Sequence, residues 1–141
     1  MGIGAAVSVR SGEGALKIVI DKSVGARTSR IETTDKGVIV TAFDERAAAQ
    51  ALYHLEDMMS LRRAPYLSKG VYTRTSRFST RMVHSGWGMD LVPENYMRRM
   101  IHFGYDSLLV YVKKVGKTKS CAAFEDINAI IRRAAAHGID V

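Results

Sequence analysis

The sequence predicts an α/β chain in two parts: an α+β N-terminal domain built from a small sheet and a helix, then repeating β/α units. Three observations carry that expectation. Apolar residues recur with strand spacing at 16–20 and 38–42, and a helical stripe follows at 44–59. Between 81 and 112 a short apolar run, a glycine-punctuated loop, a helix-spaced segment and a second apolar run succeed one another. Two buried strands joined by a helix form a right-handed βαβ unit with parallel strands. A second helix-spaced segment at 122–137 ends at Gly138, and Ile139, Asp140 and Val141 read as the start of a third strand. This pattern leads us to expect the opening of a larger α/β domain, with further units after Val141.

Taken in order, residues 1–14 are glycine-rich and read as loose. Leu16, Ile18 and Ile20 alternate as on a strand, and 21–26 form a loop. A weak strand at 28–33 centres on Ile31. Asp35, Lys36 and Gly37 make a turn, with glycine supplying a positive φ. The strong run at 38–42 completes a β-hairpin over 28–42. Asp44 is a good N-cap, because its carboxylate can accept backbone N–H groups left unpaired in a first helical turn. Ala48, Ala51, Leu52, Leu55, Met58 and Met59 then share a helix face that should cover the three preceding strands. The domain boundaries expected are 1–65 for this unit, 66–77 for a connector and 78–141 for the β/α units. Arg62, Arg63, Lys69, Arg74 and Arg77 make the stretch from 61 to 77 basic, with Pro65 and Gly70 as breakers.

In the second part, 81–84 is the first strand, 85–90 a loop and 93–103 a helix with Tyr96, Met97, Met100 and Ile101 on one face. Gly104 stops that helix, and 107–112 is the next strand. On the helix at 122–137, Phe124, Ile127, Ile130, Ile131 and Ala134 share a face.

With 141 residues, 47% hydrophobic, 25% charged and two prolines, the chain has a globular composition rather than a disordered one. Lys and Arg exceed Asp and Glu by 21 − 14 = +7. A solvated basic surface explains that excess, with binding of an anionic polymer as the second reading. Nucleic acid is disfavoured, since the basic connector lacks a groove or recognition-helix context. Cys121 is the only cysteine, which excludes an internal disulfide and a cysteine zinc site. No secretory signal, and no run near the ~20 apolar residues that span a bilayer, is visible, so a cytoplasmic location without membrane contact is expected.

Candidate site residues cluster after the strand at 81–84. In α/β barrels the carboxyl ends of strands build the active site. His84 ends that strand, and Trp87 and Asp90 follow in the loop. An aromatic platform with nearby charged groups suits the apolar face and hydroxyls of a sugar; Trp87 could equally cap a core. Gly86 and Gly88 sit where a phosphate could meet backbone N–H groups, but Leu91 stands where a dinucleotide fingerprint needs a third glycine. The four histidines never take a metal-ligand spacing. Glycoside hydrolysis needs two carboxyl groups ~5–9.5 Å apart. Glu94, Glu125 and Asp126 read instead as first-turn charges, and Asp106 precedes a strand on the side opposite the expected site. No cofactor is implied.

Certain motifs resemble those of family 20 glycoside hydrolases, the β-N-acetylhexosaminidases. Arg30, Ile31 and Glu32, a turn, Gly37 to Thr41 and the helical run from Ala47 to Leu55 are similar to the family's small domain. Its pattern there ends Gly-x-x-Tyr-Ala-x-x-Thr-Leu; here Ala47 takes the place of the Gly and Gln50 that of the Tyr. The family's first barrel strand reads Arg-Gly-x-x-x-Asp-x-x-Arg, followed by Phe-Phe-Pro and a helix. Arg81 matches the first Arg and Pro93 the Pro, while Gly86 replaces the Asp and Met89 the second Arg. α-Glucuronidases fit nearly as well. The resemblance spans about residues 15–141. It implies a small α+β domain followed by the first β/α units of an incomplete (β/α)8 TIM barrel, and a carbohydrate substrate met by Arg81, His84, Trp87 and Asp90. It places the catalytic Asp-Glu pair after a fourth barrel strand, so none of this chain's residues is expected to be catalytic. The expected function is therefore the N-terminal part of a glycoside hydrolase-like protein, inactive without the remainder of the barrel. The alternative is a complete small basic α/β module for an anionic polymer or phosphate ligand.

Overall fold

The computed structural model describes residues 6–11, 14–84, 92–110 and 123–141. It forms two compact units, Met1–Ser79 and Thr80–Val141.

The first unit contains β1 (Ala6–Ser11), β2 (Gly14–Ile20), a 3-10 turn (Lys22–Val24), β3 (Thr28–Thr34), β4 (Gly37–Ala42), α1 (Glu45–Arg62) and β5 (Gly70–Thr75). The strands make one sheet in the order β1-β2-β4-β3-β5. Only the β2–β4 pairing is parallel; β1–β2, β3–β4 and β3–β5 are antiparallel. The register lines up Ile18, Val40, Ile31 and Tyr72 across four strands, on the face that α1 covers. Ile31, Val40, Ala51 and Leu55 are buried there, ringed by Leu16, Ile18, Val38, Leu52, Met58 and Leu67. Burying an Ile, Val or Leu side chain is worth about 1.5–3 kcal/mol. Ala47 and Ala48 pack against Ala42 beside Ile18 and Ile20, small residues where the first turns of α1 meet the sheet.

The expected hairpin is β3 and β4, closed by Asp35 and Lys36 between the paired Thr34 and Gly37. Gly37 has φ +131°, and a Cβ there would stand 2.1 Å from the Ala15 carbonyl oxygen across the parallel pair. Glycine is thus required both by the turn and by the approach of β2. Asp44 caps α1 as expected, its carboxylate accepting the Ala47 N–H at 2.8 Å. The helix runs past the expected end near 59 to Arg62, where Arg63 adopts a left-handed conformation with φ 52°.

Two stretches differ from expectation. Residues 6–11, read as loose, form β1 against β2. Residues 70–75, read as part of a connector over 66–77, form β5 against β3, so the sheet has five strands rather than three. All six residues of β5 are exposed, which leaves no burial alternation to read.

The second unit contains β6 (Met82–His84), α2 (Glu94–His102), β7 (Ser107–Leu109) and α3 (Ala123–Ala136). β6 and β7 pair in parallel, and Ser107 bridges in parallel to Asp140, close to where a third strand was expected. The Leu108 N–H donates to the Asp140 carbonyl at 2.7 Å, and the Asp140 N–H to the Asp106 carbonyl at 3.0 Å. The core is Val92, Met97, Met100, Ile101, Leu108, Ile130, Ala134 and Ile139. Met97, Met100 and Ile101 were all expected on the buried face of α2. Ile131, expected on the buried face of α3, is exposed instead; its neighbours Ile130 and Ala134 are the ones that turn inward. The strand at 107–112 extends as far as Leu109 among the described residues; 111–112 lie outside them.

Candidate functional site

The expected site divides between the two ends of β6. Arg81 lies just before the strand and His84 is its last residue. At ~3.3 Å per residue they stand about 10 Å apart along the chain. His84 is exposed, at the carboxyl end and opposite Leu109 in the register. Trp87 and Asp90 lie outside the described residues, as do Gly86, Gly88 and the basic run at 113–119.

At the start of the strands, Asp106 is the organising group. It is 5% exposed, and its carboxylate Oδ1 accepts the Arg81 N–H at 2.8 Å and the Ser107 hydroxyl at 2.9 Å. The Arg81 carbonyl in turn accepts the Asp106 N–H at 3.0 Å and the Ser107 N–H at 3.3 Å. Arg81 Nε lies 3.6 Å from Asp106 Oδ2, close enough for Coulombic attraction but too long for a hydrogen bond. That Nε is buried without a hydrogen-bond partner. Asp106 thereby ties the starts of β6 and β7 together with charge-assisted bonds. Gly104 completes the arrangement: with φ +82° it ends α2, and a Cβ on it would come within 2.7 Å of an Arg81 guanidinium nitrogen. The Arg81 side chain therefore lies across the end of α2, on the strand-start side.

At the helix ends, His137 Nε2 meets the Glu94 carboxylate, and the Arg133 guanidinium donates to the Val92 carbonyl at 2.9 Å. Arg133 lies in the last turn of α3 and His137 directly follows the helix, so the end of α3 holds the start of α2. Glu94, expected as a charge complementing the α2 dipole, has this second role as well.

One group in the first unit was not singled out by sequence. The His54 ring of α1 stacks on Tyr72 of β5, with centroids 5.3 Å apart and planes inclined by 22°. Burial holds the His54 pKa below its ordinary value, the Arg74 charge lowers it further, and Asp57 opposes the shift. Its Nε2 is buried with no hydrogen-bond partner. No local signal marks this histidine, because its partner lies on a strand that itself left no periodicity.

Among the described residues, no group of three or more His, Cys, Asp or Glu is placed to hold a metal ion, and no helix is long and apolar enough to cross a membrane.

No family profile and no curated protein matches the chain. Its fold is shared with part of a solved structure, that of a β-N-acetylhexosaminidase, with a TM-score of 0.64 and 16% sequence identity. The likeness covers 97% of this chain and 37% of that one, so this chain spans well under half the length of the structure it resembles. At this identity the likeness is one of fold.

Proposed function

We propose that this chain is the N-terminal part of a glycoside hydrolase-like protein: a small α+β unit followed by the opening β/α units of a (β/α)8 barrel. The observation that carries the reading is the likeness of 97% of the chain to 37% of a β-N-acetylhexosaminidase. The parallel β6–β7 pair, with α2 between the strands and Asp140 bridging next in line, supports it. So does the face of that pair bearing Met82 and Leu109, 53% and 42% exposed, since strands of a parallel sheet normally have both faces covered.

In this reading a carbohydrate substrate is met at the carboxyl ends of the strands. His84, Trp87 and Asp90 belong to that end by position in the sequence. Arg81 has the Asp106 carboxylate beside it, so contact with a sugar would come at the expense of that attraction. The catalytic acid and base lie outside this chain.

The test is turnover of a panel of aryl glycosides, N-acetyl-β-glycosides included, by the complete reading frame and by residues 1–141 alone. Turnover by the former and none by the latter is expected. Turnover by 1–141 that a single substitution in it abolishes would overturn the reading. In the longer protein, His84→Ala should weaken sugar affinity more than Arg81→Ala.

A further inference from the structure

The outer edge of β5 is built to accept another strand. In the β3–β4 ladder the Phe43 N–H donates to the Thr28 carbonyl at 3.0 Å, and beside β5 the Ser76 N–H donates to the Arg27 carbonyl at 3.1 Å. Hydrogen-bonded pairs of an antiparallel ladder recur every second residue. Odd-numbered residues 27–33 of β3 therefore bond towards β5, and even-numbered ones towards β4. On β5, Gly70, Tyr72 and Arg74 are opposite Thr33, Ile31 and Ser29, and so spend their backbone groups on β3. Val71, Thr73 and Thr75 direct their N–H and C=O groups the other way. Among the described residues no strand lies on that side.

Sheet edges are usually guarded by proline, by a bulge, by shortness or by a covering element. β5 has six residues, no proline, and an unbroken six-pair register against β3. All six residues are exposed, Val71 and Tyr72 by 55% and 50%. The remaining guard is charge. Lys69, Arg74 and Arg77 lie in or beside the strand, and the whole chain carries +7. Lys69 already pairs with Asp35. Arg74 shares a strand face with Tyr72, because residues two apart in a strand point the same way. Burial keeps the adjacent His54 imidazole towards its neutral form. A strand added here would thus meet a cation and an aromatic ring on one face, and Val71, Thr73 and Thr75 on the other.

We propose that β5 is a docking edge for an extended acidic peptide segment, which adds to the sheet as a sixth strand with a carboxylate beside Arg74. Backbone pairing to Val71, Thr73 and Thr75 supplies affinity, and the basic edge selects the sign of the partner's charge. A second copy of this chain is disfavoured as occupant, because an antiparallel β5–β5 pair would bring two chains of +7 together.

The test is binding of a short fluorescent peptide alternating Glu and Val, with its Lys and Val counterpart as control, to the 141-residue chain. Saturable binding of the glutamate peptide, weakening as salt rises, is expected. Thr73→Pro removes one outward N–H and no bond to β3, a placement that edge strands tolerate. It should weaken binding about tenfold, the loss expected for one well-made hydrogen bond. If Thr73→Pro fails to fold, Arg74→Glu takes its place and should reverse the preference between the two peptides. Bound peptide should also slow amide exchange at Val71, Thr73 and Thr75. Absence of binding, equal binding of both peptides, or unchanged affinity in a folded Thr73→Pro protein would overturn the proposal. A concentration-dependent dimer that Thr73→Pro dissolves, without peptide binding, would overturn it in favour of a second copy.

Discussion

The two units treat their sheets differently. In the first, strands of six or seven residues are joined mostly by short connections, and α1 of the same unit covers one face from Leu16 to Leu67. In the second, β6 and β7 are three residues long, and Leu108 is buried on one face while Met82 and Leu109 stay exposed on the other. A sheet of mixed direction can leave one face to water, because its exposed side carries polar residues such as Lys17, Arg30, Glu32 and Thr41. The second face of the parallel pair mixes the exposed Met82 and Leu109 with His84 and Ser107. The first unit centres its core on one helix against its sheet, whereas the second adds to its apolar core a set of polar ties at the starts of its strands.

That contrast can be broken in four places. The largest effect belongs to the core of the first unit. Leu55→Ala should cost about 2–5 kcal/mol, as truncations of buried leucine do. Urea unfolding followed by circular dichroism measures it, and an unchanged midpoint would mean that α1 is not docked on the sheet. Next comes the polar tie of the second unit. Asp106→Ala removes the acceptor of the Arg81 N–H and the Ser107 hydroxyl. Hydrogen bonds to a charged group are worth about 1.5–3 kcal/mol, and a loss of that size is expected. Amide exchange at Leu108 should speed up accordingly; if it does not, apolar packing alone holds β7.

The α1 cap ranks third. Asp44→Ala should cost about 1 kcal/mol, the usual value for an N-cap, while Asp44→Ser should restore most of it. The smallest effect concerns pH. The His54 pKa is depressed in the folded state, chiefly by burial. Between the folded value and the unfolded value of about 6.5 the unfolded chain binds more protons, so stability rises with pH there. The contribution is fully present above about pH 6.5 and is lost as pH falls through the folded value. His54→Phe, which keeps a ring against Tyr72, should flatten that part of the stability profile. A slope that survives the substitution would assign it to other groups.

Much of this molecule was legible in the local pattern of residues. The 3.6-residue spacing placed all three helices, because a helix that covers a sheet must repeat its apolar residues on one face. Alternation placed β2 and β4, Asp44 announced the start of α1, and the spacing of Pro93 and Gly104 bounded α2. These features depend on near neighbours in the chain. β5 does not: every residue in Gly70–Thr75 is exposed, and the strand exists because its backbone completes a ladder with residues 28–33, far away in sequence. The parallel pairing of β2 with β4, around a hairpin that lies to one side, is decided the same way. The candidate site divides along this line too. That His84 ends a strand could be read from the run of apolar residues before it. That Arg81 starts the same run could be read as well, but not that it stands beside Asp106 and across Gly104, because the three meet only when β6 and β7 pair and α2 folds back between them. A residue's spacing along the chain sets which face it shares, and only tertiary pairing sets what stands opposite it.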